Sequence, residues 1–134
     1  MDIYQQIYNR FIKLTDCSNP ESELYKNGNL KIKVNAFMDL VIERLEVDHY
    51  SMTHYFEQNG DLVPDPDMEI KIHHEKKMAE ALSYQDQLIY QVVYPKPGYV
   101  DLKLKKDLNK FLLQWLKNLE LQGFYNGRSE KNAI

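Results

Sequence analysis

The chain has 134 residues, 43% hydrophobic and 28% charged, with a formal net charge of −3 and a pI near 5.8. That composition suits one ordinary globular domain, expected over residues 1–125, and speaks against a general nucleic-acid binder, which is usually basic. Cys17 is the single cysteine, which excludes an internal disulfide and a cysteine-built zinc site, and no run approaches the about eighteen apolar residues of a membrane span.

Residues 2–14 read as a helix. Ile3, Tyr4, Ile7, Tyr8, Phe11 and Ile12 make one apolar stripe, Asp2 can cap it, and Asp2 with Arg10 sets it apart from a signal peptide. Asp16–Asn29 is rich in Ser, Asn, Pro and Gly and reads as a loop. Leu30–Val34 is a short candidate strand. Phe37–Leu45 is a stronger one, with Met38, Leu40 and Ile42 on one side and Asp39, Val41 and Glu43 on the other. Val47-Asp48-His49 turns the chain. Tyr50–Phe56 then places Tyr50, Met52, His54 and Phe56 on one face and Ser51, Thr53, Tyr55 and Glu57 on the opposite one.

Asn59-Gly60 is the best turn signal in the chain, because both residues tolerate positive φ. Pro64 and Pro66 each lack an N–H, so Gln58–Asp67 reads as an ordered loop, with strand resuming at Met68. His74–Lys77 is a polar turn. Met78–Tyr84 reads as a strand, made irregular by Glu80 between Met78 and Leu82, and Leu88–Tyr94 as an edge strand ended by Pro95-Lys96-Pro97-Gly98. Asp101 caps the longest helix, which runs to about Gln122 on a stripe of Leu104, Leu108, Phe111, Leu112, Trp115, Leu116 and Leu119, with Gly123 beyond its end. Residues 126–134 are polar and read as a flexible tail. The expected fold is therefore α+β: an antiparallel meander of four or five strands, with both helices on one face. The uncovered face then carries Asp39, Glu43, Tyr55, Glu57, Glu69 and Lys71.

Acidity is local. Glu57, Asp61, Asp65, Asp67 and Glu69 fall within thirteen residues that hold no Lys or Arg, and removing them would leave the chain at +2. The binding surface is accordingly placed at Tyr55, Glu57, Asn59, Asp61, Asp65, Asp67, Glu69 and Lys71. An acidic rim beside an exposed tyrosine suits a basic protein partner. The competing reading is a small metal-dependent, nuclease-like hydrolase using the acidic loop 57–69, since hard cations want several oxygens at close range. The spacing matches no EF-hand loop. Asp67, Glu69 and Lys71 give only part of the PD-(D/E)xK pattern, whose first acid comes from an earlier strand, a place Asp39 or Glu57 would have to take. His54 lies on the apolar parity of its strand and reads as a core histidine. The lysines at 103, 105, 106, 110 and 117 read as a solvated helix face. The glycines are scattered, so no phosphate-cradling loop and no cofactor is expected, no catalytic residue is assigned, and no metal set is firm.

FMDL (37–40), HYFEQNGDLVPDPDMEI (54–70), MAEALSYQ (78–85), IYQVVYP (89–95) and LNKFLLQWLKNLELQG (108–123) together resemble a family of small proteins that carry a domain of unknown function in Gram-positive bacteria, their prophages and integrative elements. The resemblance implies a bacterial, cytoplasmic protein of mobile-element origin and brings no catalytic residue with it. The expected function is a non-catalytic binding protein, an accessory or counter-defence factor for a protein or small nucleotide ligand.

Overall fold

The computed structural model describes residues 1–125; the tail expected at 126–134 lies outside the described residues. Helix α1 spans Ile3–Thr15 and buries Ile7, Phe11 and Leu14. A capping box starts it: Gln5 N donates to Asp2 Oδ1 (2.9 Å) and Asp2 N donates to Gln5 Oε1 (3.1 Å). The expected loop at Asp16–Asn29 contains a five-residue helix, α2, at Glu23–Asn27. Ser22 Oγ accepts from Tyr25 N at its start, Gly28 closes it at φ 77°, and Leu24 is fully buried beneath it. Good caps and one apolar anchor make a helix where composition alone reads as loop.

Six strands follow: β1 Asn29–Ile32, β2 Asp39–Glu46, β3 His49–Gln58, β4 Asp61–His73, β5 Met78–Gln85 and β6 Tyr90–Val92. They pair antiparallel in sequence order, so the meander is as expected, but it has six strands and not four or five. The short β1 and β6 are its two edges. Burial of Leu30 and Ile32 against the core offsets the entropy lost in ordering β1.

β5 also corrects an expected parity. Ala79 and Ala81 oppose Ile72 and Ile70 and face the core, whereas Met78 and Glu80 oppose His73 and Lys71. Leu82 is an extra residue at a register shift, so Tyr84 returns to the core side and meets Phe111 edge to face at 5.3 Å.

Helix α3 spans Leu102–Leu121, capped by Asp101 Oδ1, which accepts from Leu104 N at 3.0 Å, and followed by Gly123 at φ 91°. Helices α1 and α3 pack side by side on one face of the sheet. Leu40, Ile42, Met52, Met68 and Ile70 meet Phe11, Leu112, Trp115, Leu116 and Leu119 there, each contributing about 1.5–3 kcal/mol of burial. Glu120 bridges Arg10 (2.6 Å) and Lys13 (3.0 Å) across the helix pair. The buried Asn109 ties α3 to the sheet: its Oδ1 accepts from Ala81 N (2.8 Å) and its Nδ2 donates to Lys105 O (2.7 Å). No helix among the described residues is long and apolar enough to cross a membrane.

Candidate functional site

The site is built on the β3–β4 hairpin. β2 accompanies β3 only as far as Tyr55, opposite Asp39, and β5 accompanies β4 only from Asp67, opposite Gln85. Phe56–Gln58 and Asp61–Val63 therefore pair with each other alone among the described residues, and they form a two-stranded arm. Its tip is Asn59–Gly60, with φ of 52° and 86° and Gln58 opposite Asp61. That is the two-residue turn the Asn-Gly pair favours.

The ordered loop expected at Gln58–Asp67 is thus corrected to a strand that begins at Asp61. The prolines fit for two reasons. Along 61–66 the outer side of β4 has no partner strand among the described residues, so a missing N–H loses no ladder bond there. Thr53 opposes Asp67 and Tyr55 opposes Pro64, so Asp65 and Pro66 together face the single residue His54, which is a bulge. The Asp65–Pro66 peptide is cis.

The arm carries three of the expected binding residues, Glu57, Asn59 and Asp61, all exposed. Asp65 sits at its root, half-buried, and accepts from Gln87 Nε2 at 3.4 Å. Tyr55, Asp67, Glu69 and Lys71 lie on the helix-free face of the sheet, in register with Asp39 and Glu43 of β2. The expected face is therefore assembled as its parity required, although the set is divided between a projecting ribbon and a sheet surface.

Electrostatics differ across this set. Desolvation pushes the Asp67 carboxyl above its usual range; a hydrogen bond from Thr53 Oγ1 (3.0 Å) opposes that push, and Glu69 and Glu43 add to it. Burial likewise raises Tyr55, with Glu43 and Asp67 adding to the effect. Glu69 is held by His49 Nε2 at 2.8 Å, and Asp39 lies near Lys31 (3.5 Å) and Lys33 (3.9 Å). Among the described residues, Glu43, Glu57, Asp61, Asp65 and Asp67 form no ion pair with Lys, Arg or His. Nor is any group of three or more His, Cys, Asp or Glu side chains among them placed to hold a metal ion.

His54 faces inward, as its parity indicated. Its ring lies 5.5 Å from that of Trp115 and 5.4 Å from that of Phe124, and its Nδ1 sits 3.3 Å from Asp39 O. Burial holds its pKa below the ordinary 6.5, so the neutral ring donates from Nδ1. Of the helix lysines, Lys105 is not simply solvated: its ammonium lies 5.7 Å from the Tyr4 ring centre and 5.5 Å from that of Tyr94.

Sequence reasoning missed a cleft of about 730 Å³ at the opposite end of the same hairpin, lined by Cys17, Ser18, Tyr25, Arg44, Val47, Asp48, Tyr50 and His74. These residues come from four separate stretches of chain. His74 and Cys17 stand out in the sequence as residue types, but no spacing links them to each other or to Arg44. Burial raises the Cys17 thiol, which keeps it protonated and removes it as a nucleophile.

A family model described as a domain of unknown function (DUF6908) matches residues 6–125, so the chain belongs to that family. No curated protein and no solved structure matches it.

Proposed function

We propose that this member of the family is a non-catalytic binding protein, and that it grips a basic protein segment with the acidic arm and the adjoining helix-free sheet face. One observation carries the reading. Glu57, Asp61, Asp65 and Asp67 lie along a projecting hairpin and its root, where no cation pairs with them among the described residues. Unpaired like charges so close together repel one another, and a cationic partner would relieve that repulsion as well as be steered toward it. Tyr55 beside them adds an amphipathic ring of the kind enriched at interfaces. In the mobile-element setting that the resemblance implies, such a surface fits an accessory or counter-defence factor that captures a host protein.

The test is calorimetric titration of the protein with an extended Lys/Arg-rich peptide at low and at moderate salt. Saturable binding that weakens with salt and falls at least about tenfold in the triple variant Glu57→Gln, Asp61→Asn, Asp65→Asn supports the reading. Binding that is absent, or indifferent to those three substitutions, overturns it.

A further inference from the structure

The cleft at the base of the hairpin lies at the far end of β3 and β4 from the arm and does not depend on the reading above. Its key group is Arg44. The backbone N of Arg44 donates to Gly28 O (2.8 Å), and its Nη1 donates to Tyr25 O (3.1 Å). The guanidinium lies over the Gly28 turn, where a Cβ would be in ordinary contact with Nη2 at 3.6 Å. The guanidinium is therefore positioned before any ligand arrives, yet it has no carboxylate within ion-pair distance among the described residues. An arginine has five N–H donors, and one contact to a carbonyl leaves most of them unused.

The carboxylate that could have satisfied it is engaged elsewhere. Asp48 Oδ1 sits 3.1 Å from His74 Nε2, and Asp48 O accepts from Ile72 N at 2.8 Å. His74 Nδ1 lies 3.4 Å from Tyr8 Oη, with the two rings edge to face. Both ring nitrogens thus have a polar neighbour, and the His74 ring forms a wall of the cleft. The floor is Tyr50, whose ring packs on Phe11 (5.6 Å between centroids). Tyr25, 47% exposed as a residue, lines the same space, and Val47 stands at the rim, 79% exposed.

We infer that this cleft is a binding site for a small aromatic anion, whose carboxylate or phosphate takes the free donors of Arg44 while its ring lies against Tyr25 and Tyr50. A guanidinium fork matches either oxyanion, and the volume is in the range of small-molecule sites. The aromatic walls distinguish such a ligand from a bare inorganic anion.

The experiment is titration of the full chain, followed by two-dimensional NMR, with adenosine monophosphate, with benzoate and with inorganic phosphate. Saturable shifts of cleft residues are expected with at least one aromatic anion; which one distinguishes phosphate from carboxylate, and inorganic phosphate should bind more weakly than either. Arg44→Gln removes the charge from an exposed side chain and should weaken that binding by at least about tenfold. Val47→Asp places a like charge at the rim and should weaken it as well, which covers the case in which Arg44→Gln alters the loop around Gly28. The inference fails if neither aromatic anion saturates, if inorganic phosphate binds as well as both, or if the two variants bind like the parent.

Discussion

The two ends of the β3–β4 hairpin treat charge in opposite ways. At the base three histidines each face a carboxylate: His49 with Glu69 at 2.8 Å, His73 with Glu80 at 2.8 Å and His74 with Asp48 at 3.1 Å. At the arm the carboxylates have no such partners among the described residues, and the ribbon has no flanking strand. At the base β3 and β4 are flanked by β2 and β5, so side chains of neighbouring strands come within reach of one another, His49 of Glu69 and His73 of Glu80. The arm stays wet, so its charges can remain unpaired at little cost. Along this hairpin, charges are thus paired where strands lie on both sides and unpaired where the ribbon stands alone.

The contrast can be broken most severely at the core end. Trp115→Ala removes the ring that backs His54 and should cost about 3–5 kcal/mol, read by chemical denaturation. A loss below about 1 kcal/mol would mean that the base is not anchored by α3. Asn109→Ala leaves the Ala81 N–H buried without its acceptor and should cost about 1–3 kcal/mol in the same assay.

Acid sharpens the comparison. Because the folded His54 pKa is depressed, its neutral form contributes stability that is present above 6.5 and is lost as pH falls through the folded value. Thermal unfolding should therefore show a destabilisation below about pH 6.5 that is reduced in His54→Gln. An unchanged pH slope in that variant would place the titrating group elsewhere.

At the arm end the expected effects on folding are smaller. Joining Tyr55 to Pro64 through an Asn-Gly turn deletes most of the ribbon and should cost less than about 1 kcal/mol, while abolishing capture of the basic peptide. A large loss of stability would show that Phe56 and Val63 belong to the core. The smallest effect is expected from metals: saturating Mg²⁺, Mn²⁺ or Ca²⁺ should leave the unfolding temperature unchanged. A clear rise, lost in Asp61→Asn with Asp65→Asn, would favour the hydrolase reading.

How far the sequence could be read depended on the range of the interaction involved. Asp2, Asp101, Asn59-Gly60 and Gly123 act on residues a few positions away, and each does what its type suggests. Likewise the alternation through Ser51, Thr53, Tyr55, Glu69 and Lys71 puts all five on the helix-free face. The arm reads as a loop in the sequence because proline breaks a fully paired strand, whereas among the described residues β4 is unpartnered on its outer side at Pro64 and Pro66. The inward parity of β5 was misread because the extra residue Leu82 reverses every position before it.

By itself, then, the sequence determined the type of most elements, the face that β2, β3 and β4 bury and the clustering of acid in one segment, because hydrophobic periodicity and turn chemistry are local properties of the chain. Only the tertiary structure decided that the acid segment projects beyond its neighbours, that six strands form among the described residues and not four or five, and that Arg44, Asp48, Tyr50 and His74 surround one cleft with Tyr25. Those outcomes depend on where neighbouring strands stop and on which distant segments the packing of α1 and α3 brings together, and no spacing along a single chain encodes either.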